Sequence, residues 1–231
     1  MKYLRLLALP FLLLTGYSQA ADLFKVEVIA FANKDQGALS DEYWPVINEI
    51  PEKSRAIYLG SDSAGYQRLS GGSLNLHDEK NRLRNSGHYR ILYHGGWVQP
   101  VYQTLDPRPI RIQAGEILDN GMYELDGYIA VGRGRYLHFR PDLYLSQRLS
   151  PAQTEQLKRS PGKQQPDTST AAMLSMQSSS TAVSTLSSAQ FPVIPQILTV
   201  HQDQARRMRS SELHYIDHPL LGIVVQITPV N

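Results

Sequence analysis

Two tracts of strand-like sequence flank a long stretch that has no strand period, and this constrains the fold more than any other feature. From Leu23 to Phe31 the residues alternate, with Phe24, Val26, Val28 and Ala30 on one side. Lys25, Glu27, Ile29 and Phe31 take the other side, and that face is half apolar, which predicts an interior strand. The period returns in Ser211–Ile216 and Gly222–Thr228, which flank Asp217-His218-Pro219-Leu220 as a hairpin with a Pro-containing turn. A lone hairpin is marginal in water, so these strands must dock onto those of residues 24–145. Between the two tracts, 13 of the 31 residues from Ser160 to Gln190 are Ser or Thr, and none is aromatic. Such a segment buries too little apolar surface to offset its ordering entropy. The expected organisation is one domain made of residues 21–149 and 191–231, with a flexible Ser/Thr/Gln-rich insertion at 150–190.

The rest of the first tract supplies the other elements. Residues 32–72 show no sustained period and predict an irregular excursion with one helical turn near 40–44. Leu76, Lys80 and Leu83 share a helical face, Arg82 and Arg84 suit a helix C-terminus, and Gly87 suits the stop, which predicts a helix over 74–86. Tyr89 to Val101 reads as a strand in which Gly95-Gly96 marks a bulge or a close backbone approach. Ile110–Ala114 is a short strand. Glu124 to Leu145 keeps a two-residue period, with a bend at Gly132 and Gly134, and Pro141 ending one strand and opening another. The fold class is therefore α+β, a mainly antiparallel sheet with one principal helix packed on a face.

The first twenty residues read as an address rather than as fold. Lys2 and Arg5 precede a nine-residue apolar run, Leu6 to Leu14, broken only by Pro10, and Ser18-Gln19-Ala20 offers small residues for cleavage. The run falls short of the about 20 apolar residues that span a bilayer. A secretory signal peptide cleaved after Ala20 is expected, and with it a periplasmic protein without a membrane span. The sequence has no Cys, which excludes disulfides, thiolate metal sites, cysteine nucleophiles and a lipid-anchored Cys. The whole chain carries 23 basic and 21 acidic residues, so loss of Lys2 and Arg5 leaves it formally neutral. Nucleic acid is not an expected partner for such a balance.

Six strings in order carry a family resemblance. They are Phe24–Phe31, Tyr43-Trp44-Pro45, Ser86–Pro100, Glu124-Leu125-Asp126-Gly127, Arg133–His138 and Arg209–Pro219. Together they resemble the CsiV family of periplasmic peptidoglycan-binding proteins. Gly95-Gly96 departs from that pattern, where bulkier residues are expected. The resemblance implies binding to the cell wall and activation of a class A penicillin-binding protein, a peptidoglycan synthase, and the lack of any complete catalytic constellation in the sequence predicts a chain without catalysis of its own.

Three groups of side chains suit such a ligand, and each also has a structural reading. Arg90, His94, Trp97 and Gln99 share one strand region. An indole covers a sugar face and a guanidinium pairs with a carboxylate, but Trp97 equally fits a core. Arg133, Arg135 and His138 form the next group, with Arg133 and Arg135 on one strand face. They would capture a stem-peptide carboxylate, or pair with Glu124, Asp126 or Glu212. Glu212 and His214 lie in the C-terminal hairpin. The basic run Arg206-Arg207-Met208-Arg209 suits an acidic partner or a solvated face. His214 and His218 do not have metal-ligand geometry across a turn, and His138 with Asp142 forms no recognisable triad. No phosphate-cradling loop or dinucleotide fingerprint occurs, and no cofactor or metal is expected. A sensor of small ligands such as D-amino acids is the alternative function, followed by a wall hydrolase working through paired carboxylates.

Overall fold

In the computed structural model, residues 22–230 are described except for 36, 41–43, 61–64, 103–105 and 159–195. The expected signal peptide, part of the predicted turn at 40–44 and most of the predicted insertion lie outside the described residues. The strands are β1 (Asp22–Asn33), β2 (Ile57–Tyr58), β3 (Gln67–Arg68), β4 (Tyr89–Val101), β5 (Ile110–Ile117) and β6 (Tyr123–Arg133). They continue with β7 (Leu137–Arg148), β8 (Ile197–Gln202), β9 (Arg206–Met208), β10 (Leu213–Ile216) and β11 (Leu221–Pro229). The helices are α1 (His77–Asn85) and α2 (Pro151–Lys158).

The mainly antiparallel architecture is present, divided into two sheets. One runs β10-β11-β1-β4-β3 and the other β2-β5-β6-β7-β8, with β9 also on β7. The short pairing of β2 with β5 is parallel. One apolar cluster draws on both sheets, with Val26, Val28 and Trp97 from the first and Ile129, Phe139 and Leu143 from the second. The predicted interior strand is β1, flanked by β4 and β11. Its even-numbered apolar residues enter the shared core. Ile29 and Phe31 meet Leu76 and Val224 in a second cluster, against which Leu83 of α1 packs. Full burial of such side chains stabilises by about 1.5–3 kcal/mol each.

Glu27 lies on the same outward face of β1 as Ile29 and Phe31 and is 1% exposed. Its carboxylate accepts the backbone N–H groups of Asn75 and Leu76 at 2.7–2.9 Å. It thereby satisfies donors at the start of α1, which has no capping side chain of its own. The helix begins at His77, three residues later than the sequence pattern predicts. The stop at Gly87 is as expected, with φ at +75°.

Several local expectations are corrected. The irregular excursion holds a 3-10 turn at Gly37–Ser40, then the short strands β2 and β3, and runs into a second 3-10 turn at Gly71–Ser73. The bulge in β4 falls at Leu92, because Ala30 pairs with Tyr93 and Phe31 with Ile91. The glycines serve the close approach instead: a Cβ at Gly96 would lie 2.9 Å from the Val26 carbonyl oxygen. Pro141 does not break β7. It lies where the partner of β7 changes from β9, opposite 137–139, to β8, opposite 143–148. The stretch assigned to the insertion begins with helix α2. Ser150 and Gln153 exchange backbone-to-side-chain hydrogen bonds, Pro151 takes the first helical position, and Leu157 is buried. The basic run contains β9, and β8 was not anticipated.

Candidate functional site

Arg133 ends β6 and Leu137 opens β7, so the residues between them form a projecting turn closed by Gly134 N–H donating to the Tyr136 carbonyl at 3.0 Å. Arg133 and Arg135 therefore flank a turn and do not share a strand face. The β9 strand lies beside the base of this turn, pairing Leu137 with Met208 and His138 with Arg207. Within β9, Met208 is buried while Arg206 and Arg207 are exposed. The run is basic on the outside because its apolar residue faces inward.

These segments enclose a cleft of about 320 Å³ lined by Arg133, Arg135, Tyr136, Arg209 and the apolar Phe24 and Met208. The guanidinium of Arg207 lies 4.8 Å from the Tyr136 ring centre and that of Arg135 lies 5.8 Å from it. Arg133 pairs with Asp22, and Arg209 lies 3.7 Å from Glu212. Glu212 also lies 3.4 Å from His214. The arginines at 133, 135, 206, 207 and 209 outnumber the two acids, Asp22 and Glu212, found in ion pairs with them. Such a surface attracts carboxylates, and its tyrosine offers a ring edge or face to a sugar.

Of the candidate side chains, Arg133 and Arg135 are brought together here, and Glu212 and His214 connect through Arg209. His138 lies nearby, between Gly132 and Arg207 in the sheet. The β4 group is dispersed. Trp97 is 0% exposed and Gln99 1%, with the indole N–H donating to Gln99 Oε1 at 2.7 Å. Both belong to the core, so neither is a ligand platform. Without the bulge, Arg90 and His94 would share a strand face. The extra residue, Leu92, turns Arg90 toward the side of Ala32 and leaves His94 opposite Ile29. Arg90 bonds to Glu124 and so links β4 to β6. His94 bonds to Glu27 at 3.0 Å. Each of these two side chains thus has a partner within the protein.

Other options resolve in the same way. His218 Nδ1 accepts the backbone N–H groups of Leu220 and Leu221 within the hairpin turn. Trp44 donates to the Leu39 carbonyl and packs on His218, fixing its loop. Asp142 pairs with His201 rather than His138. Among the described residues no cluster of three His, Cys, Asp or Glu could hold a metal ion. Sequence reasoning missed Tyr136 as a member of the arginine cluster, and kept Arg209 apart from it. The alternation of Arg207 and Arg209 about an apolar Met208 is the signal that marks a strand edge there.

A family model described as peptidoglycan-binding protein, CsiV, matches residues 3–230. The chain belongs to the CsiV family. The match covers both sheets and the stretch between their strands, so a CsiV protein of this kind is built as one continuous family unit rather than as a motif on another scaffold. The family's description places it among peptidoglycan-binding proteins, and so with the cell envelope. No curated protein and no solved structure matches the chain. Among the described residues, no helix is long and apolar enough to cross a membrane.

Proposed function

We propose that this CsiV protein acts in the periplasm, holds peptidoglycan at the arginine cleft, and activates a class A penicillin-binding protein without cutting the wall itself. The excess of guanidinium groups around Tyr136 is the observation that carries the location of the site. Stem peptides offer carboxylates to Arg133, Arg135 and Arg209, while the glycan offers ring faces to Tyr136. A secretory leader before Asp22 supports the compartment, and family membership supports the ligand. Activation is a coupling effect, since the protein must bind the working form of the synthase more tightly than the idle form.

Co-sedimentation with purified sacculi tests the first step. Wild type pellets with the wall, and the double variant R133Q/R135Q stays in the supernatant with its melting temperature unchanged. Equal pelleting of both proteins removes the arginine cleft from the account. Glycan polymerisation by a purified class A synthase, measured with and without the protein, tests the second step. An unchanged rate removes activation. Release of muropeptides by the protein alone supports the hydrolase reading.

A further inference from the structure

A second cleft, of about 440 Å³, opens on the face of the second sheet that points away from the core. That is within the range of small-molecule pockets. Its floor is Tyr128, which is 1% exposed and has Lys53 Nζ 5.1 Å and Arg111 Cζ 4.6 Å from its ring centre. The Lys53 backbone N–H donates to the Tyr128 hydroxyl at 3.1 Å, which fastens the 52–55 segment over the sheet. Pro107, Pro109 and Pro141 contribute walls of low conformational freedom.

The charges here are arranged differently from those of the arginine cleft. Three cationic side chains, Lys53, Arg55 and Arg140, line the space with three acids, Glu52, Asp106 and Asp142. Lys53 pairs with Asp142, and Arg55 pairs with Asp106. Asp142 also bonds to His201 Nε2 at 2.6 Å. Burial works against its charge, but the bonds from Lys53 and His201 outweigh burial and hold the carboxyl below its usual range. A balanced lining gives a simple anion little net attraction. A ligand bearing both signs a few ångströms apart meets an acid and a base at once, while its apolar part rests on proline and tyrosine.

We propose that this cleft binds the zwitterionic head group of an α-amino acid, with its ammonium on Asp142 and its carboxylate on Arg55. The head group comes either from a free amino acid or from the amino-acid end of a wall peptide. The proposal stands apart from the arginine cleft and its role in holding the wall.

The test is calorimetric titration of the full mature chain with D-alanine, meso-diaminopimelic acid and a wall tripeptide ending in diaminopimelate. N-acetyl-D-alanine and D-alanine methyl ester serve as probes lacking one charge. At least one unblocked probe is expected to bind with about millimolar affinity or better. Blocking either charge, or making R55Q or D142N, weakens binding about tenfold or more. Arg55 and Asp106 are 57% and 82% exposed, so R55Q keeps the fold and decides the matter even if D142N does not. Binding of D-alanine identifies free amino acids as the source, and binding of the tripeptide alone identifies the wall. Absence of binding by every unblocked probe, or full affinity in R55Q, overturns the proposal. Wild type that pellets with sacculi yet binds no probe loses this inference alone, and the converse pattern loses only the wall-holding role of the arginine cleft.

Discussion

His94 Nε2 on β4 lies 3.0 Å from Glu27 Oε1 on β1, and the two side chains are 5% and 1% exposed. The same carboxylate takes two backbone N–H groups at the entry to α1 and lies 3.4 Å from Lys25. One side chain thus joins two strands to the helix that covers them. Truncation by Glu27→Ala orphans those donors and is expected to lower stability by about 3 kcal/mol. Urea unfolding of the mature chain checks this. A loss under about 1 kcal/mol would show that water replaces the carboxylate without penalty.

The pair also sets an acid limit. Burial lowers His94 below its ordinary value of 6.5, more than Glu27 raises it. Burial would raise Glu27, but its hydrogen bonds from Asn75, Leu76 and His94 and the charge of Lys25 hold it below 4.5. Both folded groups thus take up protons less readily than in the unfolded chain. The His94 contribution is complete above pH 6.5 and is lost as pH falls through its folded value. The Glu27 contribution is present above pH 4.5 and is lost below it in the same way. Urea midpoints recorded from about pH 7.5 to about pH 3 should fall in two stages, and His94→Gln should flatten the first.

Trp97 is expected to matter for stability and not for recognition. Trp97→Ala empties a core site and lowers stability by about 3–5 kcal/mol. Trp97→Phe keeps most of the volume and leaves Gln99 without its indole donor, a smaller loss. Trp97→Phe protein that still folds should pellet with sacculi as wild type does. Selective loss of pelleting with an intact melting curve would return the indole to the binding surface.

Gly127, within the Glu124–Gly127 string, has φ at +135°, and a Cβ there would stand 2.2 Å from the Asp142 carbonyl oxygen. Gly127→Ala meets both backbone strain and a clash with β7, together about 3 kcal/mol or more. Gly134→Ala in the nearby turn meets no atom within 4 Å and serves as the comparison. Comparable urea midpoints for the two variants would contradict this account.

The elements visible before folding were those whose residues report their own environment. The period of β1, β4, β6 and the C-terminal hairpin followed from alternation, and Gly87 ended α1 where expected. The misses share a cause: each depends on a partner distant in sequence. Glu27 caps the entry to α1 from a strand some 48 residues away in sequence. The bulge at Leu92 rests on register with β1, and it separates Arg90 from His94. Trp97 reads as a ligand platform or as core until the second sheet covers it. By contrast, the Ser150-Pro151-Ala152-Gln153 cap of α2 was present in the sequence, masked by the low-complexity composition that follows. The arginine cleft came half into view, because Arg133 and Arg135 are neighbours whereas Arg209 follows β9, from beyond residue 195.

The pairing of β1 with β11 joins residues 24–32 to residues 221–229 along nine consecutive positions. Whatever handles this chain from its N-terminal side, a ribosome or a secretion pore, therefore meets an unfinished sheet until residues 221–229 have emerged. Contacts of such long sequence separation form late and slowly. An N-terminal strand left waiting for its distant mate stays threadable through a narrow channel, and it is exposed to mispairing until the far end is delivered.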